Sequence, residues 1–394
     1  MINKRFNDHI DSIISNYDNG VIKIAGDIEF SMAKDISQYT HYILSKYTDD
    51  GVDANGNPYR FRNVGNAIVD LEFRAKNLDR KNIQYTATDG DYVFSMIVNK
   101  EVQQFMKDEN WGQFIDDFQR KKTEYGSVLV KNTAGQIDIA NWNYIKANPR
   151  DIIGGEIIEE HELSPLELKR KGWKNTDDVL LAHKKVKDIW EDIKVLDIDG
   201  EFPKEYFDEN DDTGETVLKN VILAVVSGEK FLLHEQDLSE LRYKYFTRKK
   251  VEGRDWGIGV WEEVREPQIA INEAVIEESE ARTLSGKVVL KTNKKGLPDA
   301  SAIVNGEMVY LEDNEYLDTL NLMPSGGLQQ YQSSIDNWFL NLQRDQSAFN
   351  AMTGEEVKAG TPFAGQALQA SQAGSIFNKR RDQDGFNIRE ILVD

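Results

Sequence analysis

Apolar residues recur at helical spacing in several stretches of the first 250 positions, and strand-like alternation separates them. Residues 1–48 read as helical in pieces, with an acid-rich connection around Asp8 to Asp18 and an apolar set of Ile36, Tyr39, Ile43 and Leu44. Val64, Ile68, Leu71 and Leu78 mark one face of a helix over 63–78, and two further helices are predicted over 92–106 and 114–125. Alternation over 127–131 and 137–142 predicts strands. Ser164-Pro165 starts another helix, with Ser164 as N-cap and proline in the first turn, where its missing N–H costs nothing. Residues 221–227 and 229–234 flank Ser227-Gly228 as a hairpin, 243–248 is a further strand, and the stretch from Asp208 to Glu215 is an acidic turn. Strands in the middle and helices at the ends predict an α+β architecture rather than a doubly wound sheet.

From residue 255 the pattern changes. A glycine-bearing turn, Asp255-Trp-Gly-Ile-Gly-Val260, leads into a long helix over 261–284, with Pro267 within its first two turns. Val264, Ile271, Val275 and Ala281 form a sparse apolar stripe, while Glu262, Glu263, Glu266, Glu273, Glu277, Glu278 and Glu280 crowd the remainder against Arg265 and Arg282. Like charges three and four residues apart destabilise a lone helix, so this face needs a compensating environment. Short strands follow at 287–291, 306–311 and 316–320, with Lys294-Lys295-Gly296 as a basic turn. A second amphipathic helix over 329–349 places Ile335, Trp338, Phe339, Leu342 and Phe349 on one side. Gly354, Gly360, Pro362 and Gly365 then interrupt regular structure over 351–365, since glycine costs about 1 and proline about 3 kcal/mol inside a helix. An Ala/Gln/Ser-rich helix over 366–377 follows, small on most faces.

With 394 residues, two or three structural units are expected. No run of eighteen apolar residues predicts a membrane span, and the first ten positions hold no apolar segment of a secretory signal. The absence of cysteine excludes disulfides, thiolate metal sites and thiol nucleophiles. A net charge of −20, from 68 acids and 48 bases, is the reverse of the footprint of a protein that wraps nucleic acid, yet it suits a surface that a polyanion must slide past.

Catalytic signals are weak. His9, His41, His161, His183 and His234 lack zinc-helix spacing, and Rossmann, P-loop and Gly-x-Ser-x-Gly patterns are missing. Around Asp53, Asn55 and Gly56 a calcium loop is excluded by Gly51 and Arg62 at its terminal ligand positions. Acid pairs such as Glu159-Glu160 and Asp211-Asp212 leave one alternative, a carboxylate-dependent hydrolase on an acidic helical scaffold.

The order of elements after residue 255, with the junction Phe-Asn-Ala-Met-Thr-Gly-Glu-Glu through Gly-Thr-Pro-Phe-Ala-Gly-Gln-Ala-Leu, resembles the portal proteins of tailed bacteriophages. The resemblance covers about the last 140 residues well and the first 250 by general architecture. It implies a wing-like α+β region over 1–254, a stem helix over 255–284, a strand-containing clip over 285–325, a second stem helix over 326–350, a tunnel loop over 351–365 and the start of a spine helix over 366–394. A family spine continues into further wing structure and often a crown, whereas here the last residues, Ile391-Leu-Val-Asp394, still read as helix and apolar, which leaves either a truncated chain or a missing crown, and no crown is predicted either way.

The resemblance further implies a homo-oligomeric ring, usually a dodecamer, at one capsid vertex, assembled in the host cytoplasm, with double-stranded DNA passing through it. Large terminase, head-tail adaptor or tail proteins, and major capsid and scaffold proteins are the implied partners. No enzyme activity, cofactor, metal or membrane contact is implied. Met352, Thr353, Gly354, Lys358, Gly360, Thr361, Pro362 and Phe363 would form the DNA-channel loop. Glu266, Glu273, Glu277 and Glu280 would line the ring, Arg265 and Arg282 would pair with a neighbour's glutamates, and Lys294 and Lys295 would face terminase or adaptor.

Overall fold

The computed structural model describes residues 4–25, 28–48, 51–52, 56–76, 78–86, 90–133, 135–186, 190–207, 214–285, 289–292, 314, 317–320, 327–345 and 363–393. The chain is mixed α+β, as the alternation of patterns predicts. It divides into two compact units, the first made of 1–44, 65–263 and 374–394, the second of 45–64 and 264–373.

The first unit is organised around a five-stranded antiparallel sheet in the order β5-β6-β7-β8-β9: β5 (Ile145–Lys146), β6 (Ile157–Leu163), β7 (Ile193–Pro203), β8 (Thr216–Val226) and β9 (Glu229–Asp237). Successive side chains on a strand face opposite ways, so two cores form. Leu196, Ile198, Phe202, Val221 and Leu223 meet Phe6 and Ile10 of α1 (Lys4–Asn19) on one face. Ile193, Val195, Ile222, Ala224 and Val226 meet Leu168 of α6 (Pro165–Lys171) and Val179 of α7 (Thr176–Val186) on the other. Ser227 and Gly228 both take positive φ, 52° and 87°, in the two-residue turn joining β8 to β9, the geometry that matches strand twist in a tight hairpin. Ser164 caps α6 as expected, its Oγ accepting from Glu167 N at 3.3 Å while Glu167 Oε2 accepts from Ser164 N at 2.9 Å.

A second sheet, β10-β3-β4, joins β3 (Ser127–Thr133), β4 (Gln136–Ile139) and β10 (Tyr243–Thr247). α4 (Tyr92–Asp108) and α5 (Trp111–Tyr125) pack on it through Met106, Trp111, Ile115 and Phe118, with Ile388 and Ile391 from α11 (Phe363–Val393) closing the cluster. The strand pair β1 (Ile22–Ala25) and β2 (Ile28–Phe30), α2 (Met32–Ile43), α3 (Gly65–Lys76) and the single turn α8 (Val260–Glu263) complete the unit.

In the second unit, α9 (Arg265–Ser285) packs against α10 (Gly327–Asp345), and β11 (Val289–Thr292) pairs antiparallel with β12 (Leu317–Leu320).

Three sequence expectations are corrected. The acid-rich stretch from Asp8 to Asp18 is no connection but lies inside α1, where the acids stay outward while Phe6 and Ile10 anchor the helix. Residues 45–64, grouped with the N-terminal region, belong to the second unit. Phe363, placed in the interrupting loop, is the first residue of α11, which starts three residues earlier than the small-residue pattern suggested. Among strand expectations, 306–311 lies outside the described residues, while the flanking ones are β11 and β12.

Candidate functional site

α9 has two unlike faces. Glu266, Glu273, Glu277 and Glu280 are all exposed, and their spacing of seven, four and three puts them on one side of the helix. The opposite side buries Gln268, Ile271, Asn272, Ala274 and Ala281. Buried amides need partners, and these find them on the backbone of 62–64. Gln268 Oε1 accepts from Val64 N at 2.9 Å and its Nε2 donates to Arg62 O at 2.6 Å. Asn272 Oδ1 accepts from Arg62 N at 3.0 Å, and Tyr59 donates through its hydroxyl to Glu280 at 3.0 Å. A segment more than 200 residues away in sequence is thereby held along the helix by three amide hydrogen bonds and one from a tyrosine hydroxyl to a carboxylate. The sequence signal for these two amides is faint, a Gln and an Asn four apart within an apolar stripe on a helix otherwise crowded with glutamates.

α10 buries Ile335 and Leu342. Around Trp338 its surface forms an open groove of about 590 Å³ lined by Gln329, Gln330, Ser333, Ser334, Asn337 and Asn341, without a single charge. The two packed helices thus differ in what they offer solvent, an acidic stripe on α9 and an uncharged groove on α10.

The remaining expected site residues are placed unevenly. Arg282 donates to Glu278 at 2.5 Å one turn earlier on α9, so its charge is engaged within its own helix, the arrangement that competes with pairing to a neighbouring chain. Arg265 opens the same helix and is half-buried. Positions 352 to 362 of the interrupting loop, including Lys358, and Lys294 and Lys295 of the basic turn lie outside the described residues.

Two charged clusters in the first unit were not foreseen. In one, Glu72 of α3 accepts from Arg248 at 3.1 and 3.0 Å and from Arg380 of α11 at 2.5 Å, with Lys76 at 3.2 Å. Asp384 of α11 receives Lys122 at 2.7 Å and Lys76 at 3.1 Å. Burial would push the Glu72 carboxyl up; Arg248, Lys76 and Arg380 overcome it and hold it at about 2. Burial also lowers Lys122 despite Asp384 beside it.

The second cluster lies where the apolar face of β7 turns polar. Glu159 sits directly across from Asp197 in the β6–β7 register. Lys131 of β3 bridges both carboxylates at 2.5 and 2.7 Å, Tyr243 donates to Glu159 at 2.9 Å, and Arg242 binds both Asp197 and the fully buried Asp199. Burial works against the Glu159 charge, but His161 and Lys131 bring its pKa down to about 2. Asp197 is likewise lowered, by Lys131 and Arg242 against the effect of burial.

Glu159, His161 and Asp197 bring potential ligand atoms within 4.8 Å of one another, and the Lys131 ammonium already supplies the cation at the two carboxylates. Glu160, one residue on, faces the other way and meets Lys146 and Lys194. Glu159 and Glu160 are therefore not a working pair, because neighbours on a strand cannot share a face. Asp211-Asp212 lies outside the described residues.

No model of a known protein family matches this chain. No curated protein matches it either.

Proposed function

We propose that the chain is a portal-type subunit of a tailed bacteriophage: a ring-forming protein at one capsid vertex through which double-stranded DNA is packaged and ejected. The observation that carries this reading is the second unit itself. A helix with an exposed glutamate stripe runs into a strand, a partner strand leads into a second helix packed on the first, and the long α11 follows the glycine-rich interruption. Glutamates repeated around a ring would discourage phosphate from adhering, since a surface of one sign repels like charge over the Debye length. The interrupting segment 352–362, with Lys358 as its one basic residue, would touch DNA without gripping it, because each phosphate contact adds a salt-dependent increment of affinity.

In this reading Lys294 and Lys295 face a terminase during packaging and an adaptor or tail protein afterwards, and the first unit meets capsid and scaffold proteins. The hydrolase alternative gains nothing from Glu159 and Glu160, which sit on opposite faces, each against lysine.

Deleting 352–362 tests the proposal. Annular particles are expected to assemble as in wild type under negative stain, while DNA packaging into proheads falls to background. Full packaging by the deletion variant, or a compact monomer that cleaves glycans, overturns it.

A further inference from the structure

α4 is anchored at one end and bare at the other. Its C-terminal half enters the core through Met106, with Val102 packed beside it. Its middle is clamped to the preceding segment: Asn99 exchanges two hydrogen bonds with the Tyr85 backbone, at 2.7 and 2.8 Å, and Gln103 donates to Arg80 O and Ile83 O at 3.1 and 2.9 Å. Its N-terminal half holds no charged residue from Tyr92 to Asn99. There Tyr92 and Met96 are 87% and 75% exposed, and Val93, Phe94 and Ile97 are more than half exposed, as is Phe105 further along.

A helix apolar on all sides is ordinarily covered. Scattered exposed apolar residues need no explanation, but Tyr92, Val93, Phe94, Met96 and Ile97 fall together within the first two turns of one element. Their exposed surface is on the order of 800 Å², which is the share one partner contributes to a standard stable interface.

We propose that this end of α4 is an interface with a second copy of the same chain. Charge selects the occupant. Two copies carrying −20 each repel wherever their acids face one another, so the uncharged patch is where they approach at least cost. A lipid surface is a poorer fit: the bare stretch is far shorter than a span, the helix is capped by Asp91 at its exposed end, and no lysine or arginine flanks that end to meet anionic headgroups. The interface does not depend on the DNA-conducting reading, since an assembly that conducts nothing would be joined in the same way.

Sedimentation velocity over a micromolar concentration series compares wild type with the Met96→Glu/Ile97→Glu variant, alongside circular-dichroism melting. Both positions are exposed, so the melt is expected to be unchanged. Wild type is expected to sediment as a multi-chain species, and the variant to need about 100-fold more protein to associate, as burying two unpaired carboxylates demands. Equal mass for both, a single-chain wild type throughout the series, or wild-type binding to phosphatidylcholine–phosphatidylglycerol vesicles that the variant loses would each overturn the proposal. An assembled wild type that packages no DNA would remove the portal reading and leave this interface standing.

Discussion

At the residue scale, Glu72 is the most constrained charge in the first unit. Three cations surround it, and one of them, Arg380, comes from α11 more than 300 positions later. Its folded pKa of about 2 lies below the ordinary 4.5, so its charge stabilises the fold fully above pH 4.5 and this contribution is lost as pH falls towards 2. Glu159 follows the same direction over the same window. Thermal melts between pH 5 and 2 are expected to fall steeply in wild type and less steeply in Glu72→Gln. At pH 7 that variant leaves Arg248 and Arg380 facing each other without the carboxylate, a loss of roughly 3–5 kcal/mol. An unchanged melting temperature at pH 7 would refute the assignment of Glu72 as the centre of the cluster.

At the element scale, the meeting of α5, β3 and the turn before α8 depends on three glycines. Gly126 caps α5 with φ 81°, and a Cβ there would lie 2.3 Å from the backbone of Ile258 and Gly259. Side chains on Gly257 or Gly259 would strike the backbone of Gly126 and Glu124 at 2.4 Å. Ser127 ties the junction together, its Oγ accepting from Gly257 N at 2.9 Å and its carbonyl from Trp142 Nε1 at 2.9 Å. Gly126→Ala combines left-handed strain with a backbone collision and is expected to cost more than about 1 kcal/mol, read as a lower denaturant midpoint. Gly135→Ala, also at positive φ but with open space around it, provides the comparison that isolates the collision.

Elements were largely legible from the sequence because their signals are local. Ser164 and Glu167, the Ser227-Gly228 turn and the apolar sides of α9 and α10 each speak within a few residues. What stayed hidden was every relation across long separations. Gly257 and Gly259 read as a turn before a helix, with nothing to show that Gly126 lies against them, and Glu159 and Glu160 read as one acid pair until the strand placed them on opposite faces. By composition the acids from Asp8 to Asp18 resemble a break, but the 3.6-residue period keeps Phe6 and Ile10 on the inner side of α1 and the acids outside.

At the scale of the whole molecule, four glutamates of α9 stand exposed on a chain whose net charge is −20. Replacing Glu266, Glu273, Glu277 and Glu280 together by glutamine is expected to leave folding intact, since all four are exposed. In the portal reading, DNA release from particles built with this variant slows at low salt and recovers as the Debye length shrinks from about 30 Å at 0.01 M to about 8 Å at physiological ionic strength. Release kinetics followed by dye accessibility check this, and salt-independent, wild-type release would count against a channel-facing stripe.

The amide clasp of Gln268 and Asn272 on residues 62–64 also sets a schedule for synthesis. Those backbone groups leave the ribosome some 200 residues ahead of the helix that satisfies them. At about 5–20 residues per second that is a wait of roughly 10–40 s, during which the first unit's early helices can form on either side of an unpaired strap. The strap can be closed only once α9 has been made, because all three of these bonds are to Gln268 and Asn272.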